Sequence, residues 1–460
     1  MHCPIPIKHI RKRTFRRPPS NDIVGRRPLF LLNSMPSTQR RVSIAIGRHF
    51  FLLLLTPACA WATNGYFSDG FGSKAEGQAG VSIAWAQDSL AAASNPAGTA
   101  LVGDRVDVGL DWFVPRRSAD IVGNAFGPNA SYSGDAKKNF FIPNLGYTTR
   151  LGDTLAAGVA VYGNGGLNTQ YDLNPYGRFG AVGAAGVNLE QLFVTPSIAW
   201  KPAPGQSLGL GINLAYQQFS AQGIGLFAGF SSSPSNVSDK GTDSTIGAGA
   251  RIGWSGTLAP GLTLGATWAS KVHGSFGDYK GLFADGGRFD VPANFGVGIS
   301  YQVAPDWRLG VDVERIAYAD VAAIGDPLAP LLQGVALGAS GGPGFGWQNI
   351  NILKLAVAKE VSPALTVRAG YSHSGQPVPS SQTFFNILAP GVVQDHFTLG
   401  ATWTASASGE ASGFIAYAPQ KTVDGTGSIP PGSPPSGFGG GEANVRLREI
   451  IIGLSYGWKL

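Results

Sequence analysis

The chain has 460 residues, 43% hydrophobic and only 13% charged, with 66 glycines, 2 methionines and 2 cysteines. The charged share is about half the ~25% usual in soluble domains, yet no apolar run approaches the ~18–20 residues of a membrane-crossing helix. The formal charge of +6 arises in the first 62 residues, which hold 11 of the 34 Lys and Arg but only Asp22 of the 28 acids. The remaining 23 basic and 27 acidic residues give the body a net charge of −4, which lends no support to nucleic acid as a partner.

Residues 1–62 read as a leader. Arg40, Arg41 and Arg48 form a basic region, Phe50 to Leu55 an apolar core, and Ala60-Trp61-Ala62 a small-x-small cleavage site. Residues 1–34 are too long and basic for an ordinary signal peptide, so Met35 is the expected start and 35–62 the signal. Cys3 and Cys59 both fall in this part, leaving the mature chain without disulfide or thiolate chemistry.

Residues 63–103 follow as a segment rich in Gly, Ala and Ser, with an amphipathic helix expected from Ala75 to Leu90. Tyr66, Phe67, Phe71, Ile83 and Trp85 make it too apolar for a solvated tail. Period-2 alternation then marks fourteen strands: 104–115, 139–150, 154–163, 190–202, 206–219, 243–257, 261–273, 290–303, 307–318, 350–361, 364–372, 395–404, 412–419 and 447–459. Short polar links such as Leu258–Leu262 and Val303–Trp307 alternate with long ones near 116–138, 164–189, 220–242, 274–289, 319–349, 373–394 and 420–446; the link 405–411 is intermediate. Short turns at one end and long loops at the other predict a fourteen-stranded antiparallel transmembrane β-barrel over 104–460. The segment 63–103 cannot hang unpaired in lipid and is placed inside as a hatch.

Alternation assigns faces. Ile246, Ile252 and Trp254 point to lipid, while Thr245, Gly247, Gly249, Arg251 and Ser255 point to the lumen. Arg251, Asp312, Glu314, Lys354 and Arg368 are luminal by the same parity, either meeting a ligand or pairing with one another and the hatch. Trp200, Trp254, Trp268, Trp307 and Trp403 fit interfacial girdles. The final run Leu454-Ser-Tyr456-Gly-Trp458-Lys-Leu460 is similar to terminal strands handled by the barrel-insertion machinery, with Leu460 where Phe is usual.

The long loops are strongly apolar at Ile224–Phe230, Leu282-Phe283, Leu328–Leu332 and Phe384–Leu388. Such stretches either expose a capture surface or pack together as a lid. The expected ligand contacts are Leu226, Phe227, Phe230, Leu282 and Phe283 in the loops, Phe67 and Phe71 in the hatch, and Arg251 and Lys354 in the wall. Enzymatic chemistry has little support. Gly338-Ala-Ser340-Gly-Gly342 has the letters of a nucleophile elbow without its strand–turn–helix context. The only histidines of the mature chain, His273, His373 and His396, have no ligand-like spacing, and no motif calls for a metal or cofactor.

The run from Asn64 to Gly80, followed by Asn95-Pro96-Ala97, resembles the N-terminal hatch of the FadL family of outer-membrane transporters. The resemblance extends over the mature chain, and it implies passive uptake of long-chain fatty acids or, as in relatives, aromatic hydrocarbons. It implies gating by Asn95, Pro96 and Ala97 and by an inward kink of the third strand, where Gly163, Gly165 and Gly166 stand. Implied partners are a hydrophobic small molecule, outer-membrane lipid and lipopolysaccharide, with the chain acting as a monomer. A porin for polar solutes is the competing class.

Overall fold

The computed structural model describes residues 64–434 and 436–460; the leader, the signal peptide and the start at Met35 lie outside them. The strands are β1 (Arg105–Val122), β2 (Ala130–Ser133), β3 (Phe140–Arg150), β4 (Leu155–Tyr171), β5 (Ala185–Trp200), β6 (Gln206–Gln222), β7 (Asp243–Ala259), β8 (Leu262–Ala269), β9 (Asn294–Ala304), β10 (Trp307–Ile316), β11 (Ile350–Ser362), β12 (Leu365–Ser374), β13 (Asp395–Ser406), β14 (Gly409–Val423) and β15 (Glu442–Lys459). They form one 15-stranded antiparallel sheet in which consecutive strands are neighbours, except that β3 pairs with β1 rather than with β2. It closes by pairing β1 with β15 from Arg105↔Lys459 to Val122↔Glu442. Because β2 pairs only with the far end of β1, fourteen strands make the closed wall. Closure leaves no open edge at the seam, which a spanning sheet requires.

All fourteen expected strands are present, with three systematic differences. Several run further toward the long loops than their hydropathy indicates: β1 to Val122, β4 to Tyr171, β5 from Ala185 and β15 from Glu442. There the outward residues become polar, so the contrast between faces vanishes while the ladder continues. The link expected at 405–411 shrinks to Ala407-Ser408, because β13 and β14 are built here from small polar residues. In contrast, β8 stops at Ala269, four residues early. Beyond it, Ser270 is tied to β7 through its backbone N–H to the Ala250 carbonyl (2.8 Å), and its hydroxyl accepts from the Ala250 N–H (2.9 Å).

Exposed aromatics form two bands. Phe141 and Tyr147 on β3, Phe295 and Tyr301 on β9, and Phe397 and Trp403 on β13 are exposed pairs six residues apart on one face. At ~3.3 Å per residue that is about 20 Å along each strand, comparable with the ~25 Å apolar belt of such barrels. Trp200, Trp268 and Trp307 are exposed as expected, whereas Trp254 is half-buried and donates its indole N–H to Gln206 (2.9 Å).

Residues 64–104 precede the wall and fill its interior. The helix expected over Ala75–Leu90 does not form; only α1 (Ser73–Glu76) and α2 (Ala91–Ser94) are α-helical. Ala79 and Gly80 both have positive φ, 55° and 79°, and turn the chain away after one helical turn. Gly80 lies against the Asp69 carbonyl, where a Cβ would not fit. The amphipathic pattern reflects contact with the barrel on all sides, and Val81, Ile83 and Trp85 are buried against it without helical spacing.

Candidate functional site

The hatch is held by the lumen charges that strand parity places inside. The Asp312 carboxylate accepts from the backbone N–H groups of Ser82 (2.8 Å) and Ile83 (3.0 Å). Asp107 accepts from the Ser89 N–H at 2.8 Å and is also bound by Arg105. Lys74 and Arg105 converge on Glu410. Arg368 donates to the Gln87 side chain at 3.1 Å. Charge-assisted bonds of this kind are roughly twice as strong as neutral ones, and here they are buried.

Asn95, Pro96 and Ala97 fasten the other end. The Asn95 side chain donates to the carbonyls of Ile83 (2.8 Å) in the hatch and Trp254 (2.9 Å) in the wall, while its oxygen caps the Ala97 N–H at 3.0 Å. Pro96 opens the 3₁₀ turn Pro96–Ala100, where its missing N–H is no loss. Pro96 and Ala97 lie flat on Gly209, where any side chain would overlap their backbone. The Ala97 carbonyl accepts from Ser207 at 2.8 Å.

The N-terminal turn, Asn64–Phe67, meets β4. The β3–β4 ladder stops at Leu145↔Val161 although β3 begins at Phe140 and β4 continues to Tyr171. Against β5, β4 slips register between Gly163 and Gly165, a bulge centred on Asn164. There the Ser68 N–H donates to the Asn164 carbonyl (2.9 Å) and the Gly166 N–H to the Tyr66 carbonyl (2.9 Å). Gly165 touches the Tyr66 carbonyl so closely that only glycine fits. The wall is bridged again above, at Asp135↔Gln170. Between these levels β3 and β4 are parted, and β4 leans on the hatch.

Two cavities lie on the line from the loops to this parting. The inner one, about 40 Å³, is lined by Phe67, Phe71, Asn164, Arg251, Glu314 and Lys354 among others, so four of the expected ligand residues come together. Arg251 donates there to the Ser94 carbonyl (3.0 Å), and Lys354 to the Asp69 carbonyl (2.7 Å) and Glu314 (2.8 Å). The outer cavity, also about 40 Å³, is lined by Phe219, Ile224, Phe227, Leu282, Phe283 and Phe385 with other apolar side chains. The loops do not offer a broad exposed surface. Phe227 and Phe283 are buried, and Leu226, Phe230 and Leu282 are half-buried against the same core. Apolar loop side chains bury one another when several long loops share one rim.

Between the cavities runs a file of aromatic rings that sequence reasoning only partly found. Phe283 meets Phe289 at 4.9 Å between centroids, Phe289 meets Tyr66 at 6.5 Å, and Tyr66 meets Phe67 at 5.3 Å. The file is interrupted between Phe67 and Phe71, which both line the inner cavity; Phe71 packs on Tyr162 at 4.5 Å, two residues before Asn164. Tyr318 clasps the hatch turn: its hydroxyl accepts from the N–H groups of Tyr66 (3.1 Å) and Phe67 (3.3 Å) and donates to the Asn64 carbonyl. Tyr318, Phe289 and Trp347 lie in long loops or at strand ends, where no periodicity singles them out.

Titratable groups of the hatch are shifted by its burial. Burial pushes the Asp88 carboxyl up to about 6, helped by Asp107 and opposed by Lys74 and Arg105. Burial, with Asp111 and Asp69 nearby, raises Glu76 well above the usual carboxylate range. Neither feature resembles a hydrolytic site. His373 faces outward beside Asp395 and His396 faces inward, while Ser340 lies in the loop before β11 without strand–turn–helix context.

A closed antiparallel barrel with short turns at one end, aromatic bands outside and an N-terminal plug bonded into its lumen defines an outer-membrane transport barrel. The chain belongs to the outer membrane protein transport protein family (OMPP1/FadL/TodX), whose model matches residues 54–423. That family comprises transporters of hydrophobic compounds rather than enzymes. Among solved structures, the Pseudomonas putida toluene transporter TodX is 18% identical with a TM-score of 0.62, covering 85% of this chain and 99% of its own. A Pseudomonas aeruginosa FadL homologue is 16% identical with a TM-score of 0.64, covering 86% and 99%. The Ralstonia pickettii toluene transporter TbuX is 16% identical with a TM-score of 0.60, covering 85% and 99%. At these identities the likeness is one of fold. No curated protein matches in sequence.

Proposed function

We propose that this protein carries hydrophobic compounds such as long-chain fatty acids passively inward across the outer membrane. In this reading the loop residues Leu226, Phe227, Phe230, Leu282 and Phe283 capture the ligand, and Phe67 and Phe71 receive it beside Arg251 and Lys354. Movement of the hatch about Asn95, Pro96 and Ala97 then frees the route to the parting at Gly163, Gly165 and Gly166. The observation that supports the reading is the file of rings from Phe283 to Phe67, which reaches the inner cavity where Phe71 packs on Tyr162 beside the bulge. Burial of each methylene contributes ~0.8 kcal/mol, enough to hold a long tail against association costs. No energy source is needed when ligand is consumed downstream.

Deleting Asn164 restores a regular β4 register and tests the route. Uptake of labelled fatty acid by cells relying on this protein should fall at least tenfold while the barrel stays folded; uptake equal to wild type would sink the lateral route. A second reading, an aromatic hydrocarbon as cargo, is favoured by the predominance of rings along the path and by the two neighbours named as toluene transporters. Competition decides between them: toluene should displace bound fatty acid weakly if the first reading holds and strongly if the second does. A polar-solute porin would show steady ionic current in a planar bilayer, where the plugged barrel should show little.

A further inference from the structure

The outer wall carries a polar groove that the transport reading does not use. Outward columns on three adjacent strands change character at one level. On β6 the column reads Leu208, Leu210, Ile212, Leu214 and Tyr216, then Gln218, Ser220 and Gln222. On β5, running the other way, it reads Trp200, Ile198, Pro196, Val194 and Leu192, then Glu190 and Asn188. On β4, Val159 and Val161 lie beside Pro196 and Val194 of β5, and beyond the bulge Asn168 and Gln170 lie beside Asn188 and Gly186. Tyr216 and the neighbouring girdle residue Phe141 are exposed near this change, which marks the membrane interface.

Immediately beyond it lies a groove of about 350 Å³, floored by Asn168, Gln170, Asn188, Glu190, Gln218 and Ser220 and flanked by Lys137 and Thr242. Its volume lies within the ~300–1,000 Å³ of ligand sites. The floor is ordered: Asn168 donates its amide to Asn188 (2.8 Å), and Asn188 donates to Glu190 (2.8 Å). Gln218 is braced by the Tyr216 hydroxyl at 2.7 Å. Asn168 is 8% exposed, and its side-chain oxygen has no partner in this arrangement. A buried amide oxygen without a partner costs ~1–3 kcal/mol unless something supplies a donor.

We propose that this groove binds the sugar headgroup of an outer-leaflet glycolipid, lipopolysaccharide. Three properties choose this occupant. The groove stands just above the apolar columns, ~13 Å along β6 from Tyr216 to Ser220, so what reaches it is anchored in the leaflet beside it. Carboxamides and hydroxyls present donors and acceptors together, matching sugar hydroxyls, which do the same. A phosphate is acceptor-only and calls for cations, and among the lining residues Lys137 is the only one, with the acid Glu190 in the same lining.

The test is native mass spectrometry of protein extracted from outer membranes into mild detergent, comparing wild type with an Asn168→Ala/Gln218→Ala/Ser220→Ala variant and with Asn188→Ala alone. Heat-modifiable gel mobility checks that each barrel is folded. Retained lipopolysaccharide should fall at least fivefold in the triple variant and measurably in the single one, with phospholipid retention unchanged. Enzymatic removal of the glycolipid phosphates should leave wild-type retention intact. The proposal is overturned if the folded variants keep the glycolipid as wild type does, or if dephosphorylation strips it. It is also overturned if free core oligosaccharide binds as tightly as the intact glycolipid, which would make the ligand a soluble sugar.

Discussion

At the scale of single residues, the hatch is governed by a few polar atoms whose loss is expensive. Tyr318→Phe removes one hydroxyl that serves two N–H groups and one carbonyl of the Asn64–Phe67 turn. Leaving a buried N–H group unpaired costs ~1–3 kcal/mol, so amide exchange of Tyr66 should accelerate at least tenfold while the strands remain protected; the Phe67 N–H, which also donates to the Asn64 carbonyl (3.4 Å), should respond less. Asp88→Asn addresses pH. The folded carboxyl, buried against Asp107 with Lys74 and Arg105 opposite, holds its proton up to about 6, against ~3.9 in the unfolded chain. The docked hatch therefore binds more protons than the released one, and its stability falls as pH rises from about 4 through 6. Glu76 pushes in the same direction. Hatch protection should therefore decline between pH 4 and 7 in wild type, by an amount on the order of 2–3 kcal/mol. The decline should be smaller in the Asn variant, which keeps an oxygen for the Leu90 N–H. An unchanged pH profile would show that Asp88 does not set it.

At the scale of elements, the wall is regular where its two faces differ and irregular where it meets the hatch. Gly165→Val places a side chain against the Tyr66 carbonyl, so the hatch turn must leave β4. The expected result is a barrel of normal mobility whose residues 64–68 become accessible to protease, with uptake altered by fivefold or more. How much was legible in the sequence follows the same division. Strand positions within the apolar belt were readable because lipid and lumen demand opposite side chains at alternate positions. The far ends of β1, β4, β5 and β15 were not, because water outside and polar packing inside erase the contrast. The glycine cluster at 163, 165 and 166 marked the bulge, and at Gly165 the close approach of the Tyr66 carbonyl requires glycine. Arg251, Lys354, Phe67 and Phe71 fell into one cavity because parity and the hatch placement fixed their depth. The helix over Ala75–Leu90 failed because a segment surrounded by wall shows amphipathic composition without helical hydrogen bonds. Tyr318 and Phe289 depend on loop packing between residues far apart in sequence, which no local pattern encodes.

At the scale of the whole molecule, a plugged barrel under a closed roof must open twice. The outer cavity of about 40 Å³ cannot hold a fatty-acid tail or an aromatic ring, and an apolar pocket sized for benzene is nearer 150 Å³. Its walls come from separate loops, with Ile224 and Phe227 between β6 and β7 and Leu282 and Phe283 between β8 and β9. Those two loops meet at the surface where the Asn236 amide donates to the Asp278 carbonyl at 3.2 Å. Residues 64–460 contain no cysteine, so a pair introduced as Asn236→Cys and Asp278→Cys can be joined selectively by a short thiol-reactive tether that reductant cleaves. If separation of these loops admits the ligand, tethering should slow uptake at least tenfold, reductant should restore it, and either single substitution should be indifferent to the reagent. The tether lies far from the hatch, so hydrogen exchange of residues 64–101 should not change. Uptake that proceeds at full rate through the tethered roof would place admission elsewhere, and the parting of β3 from β4 would then be the entrance as well as the exit.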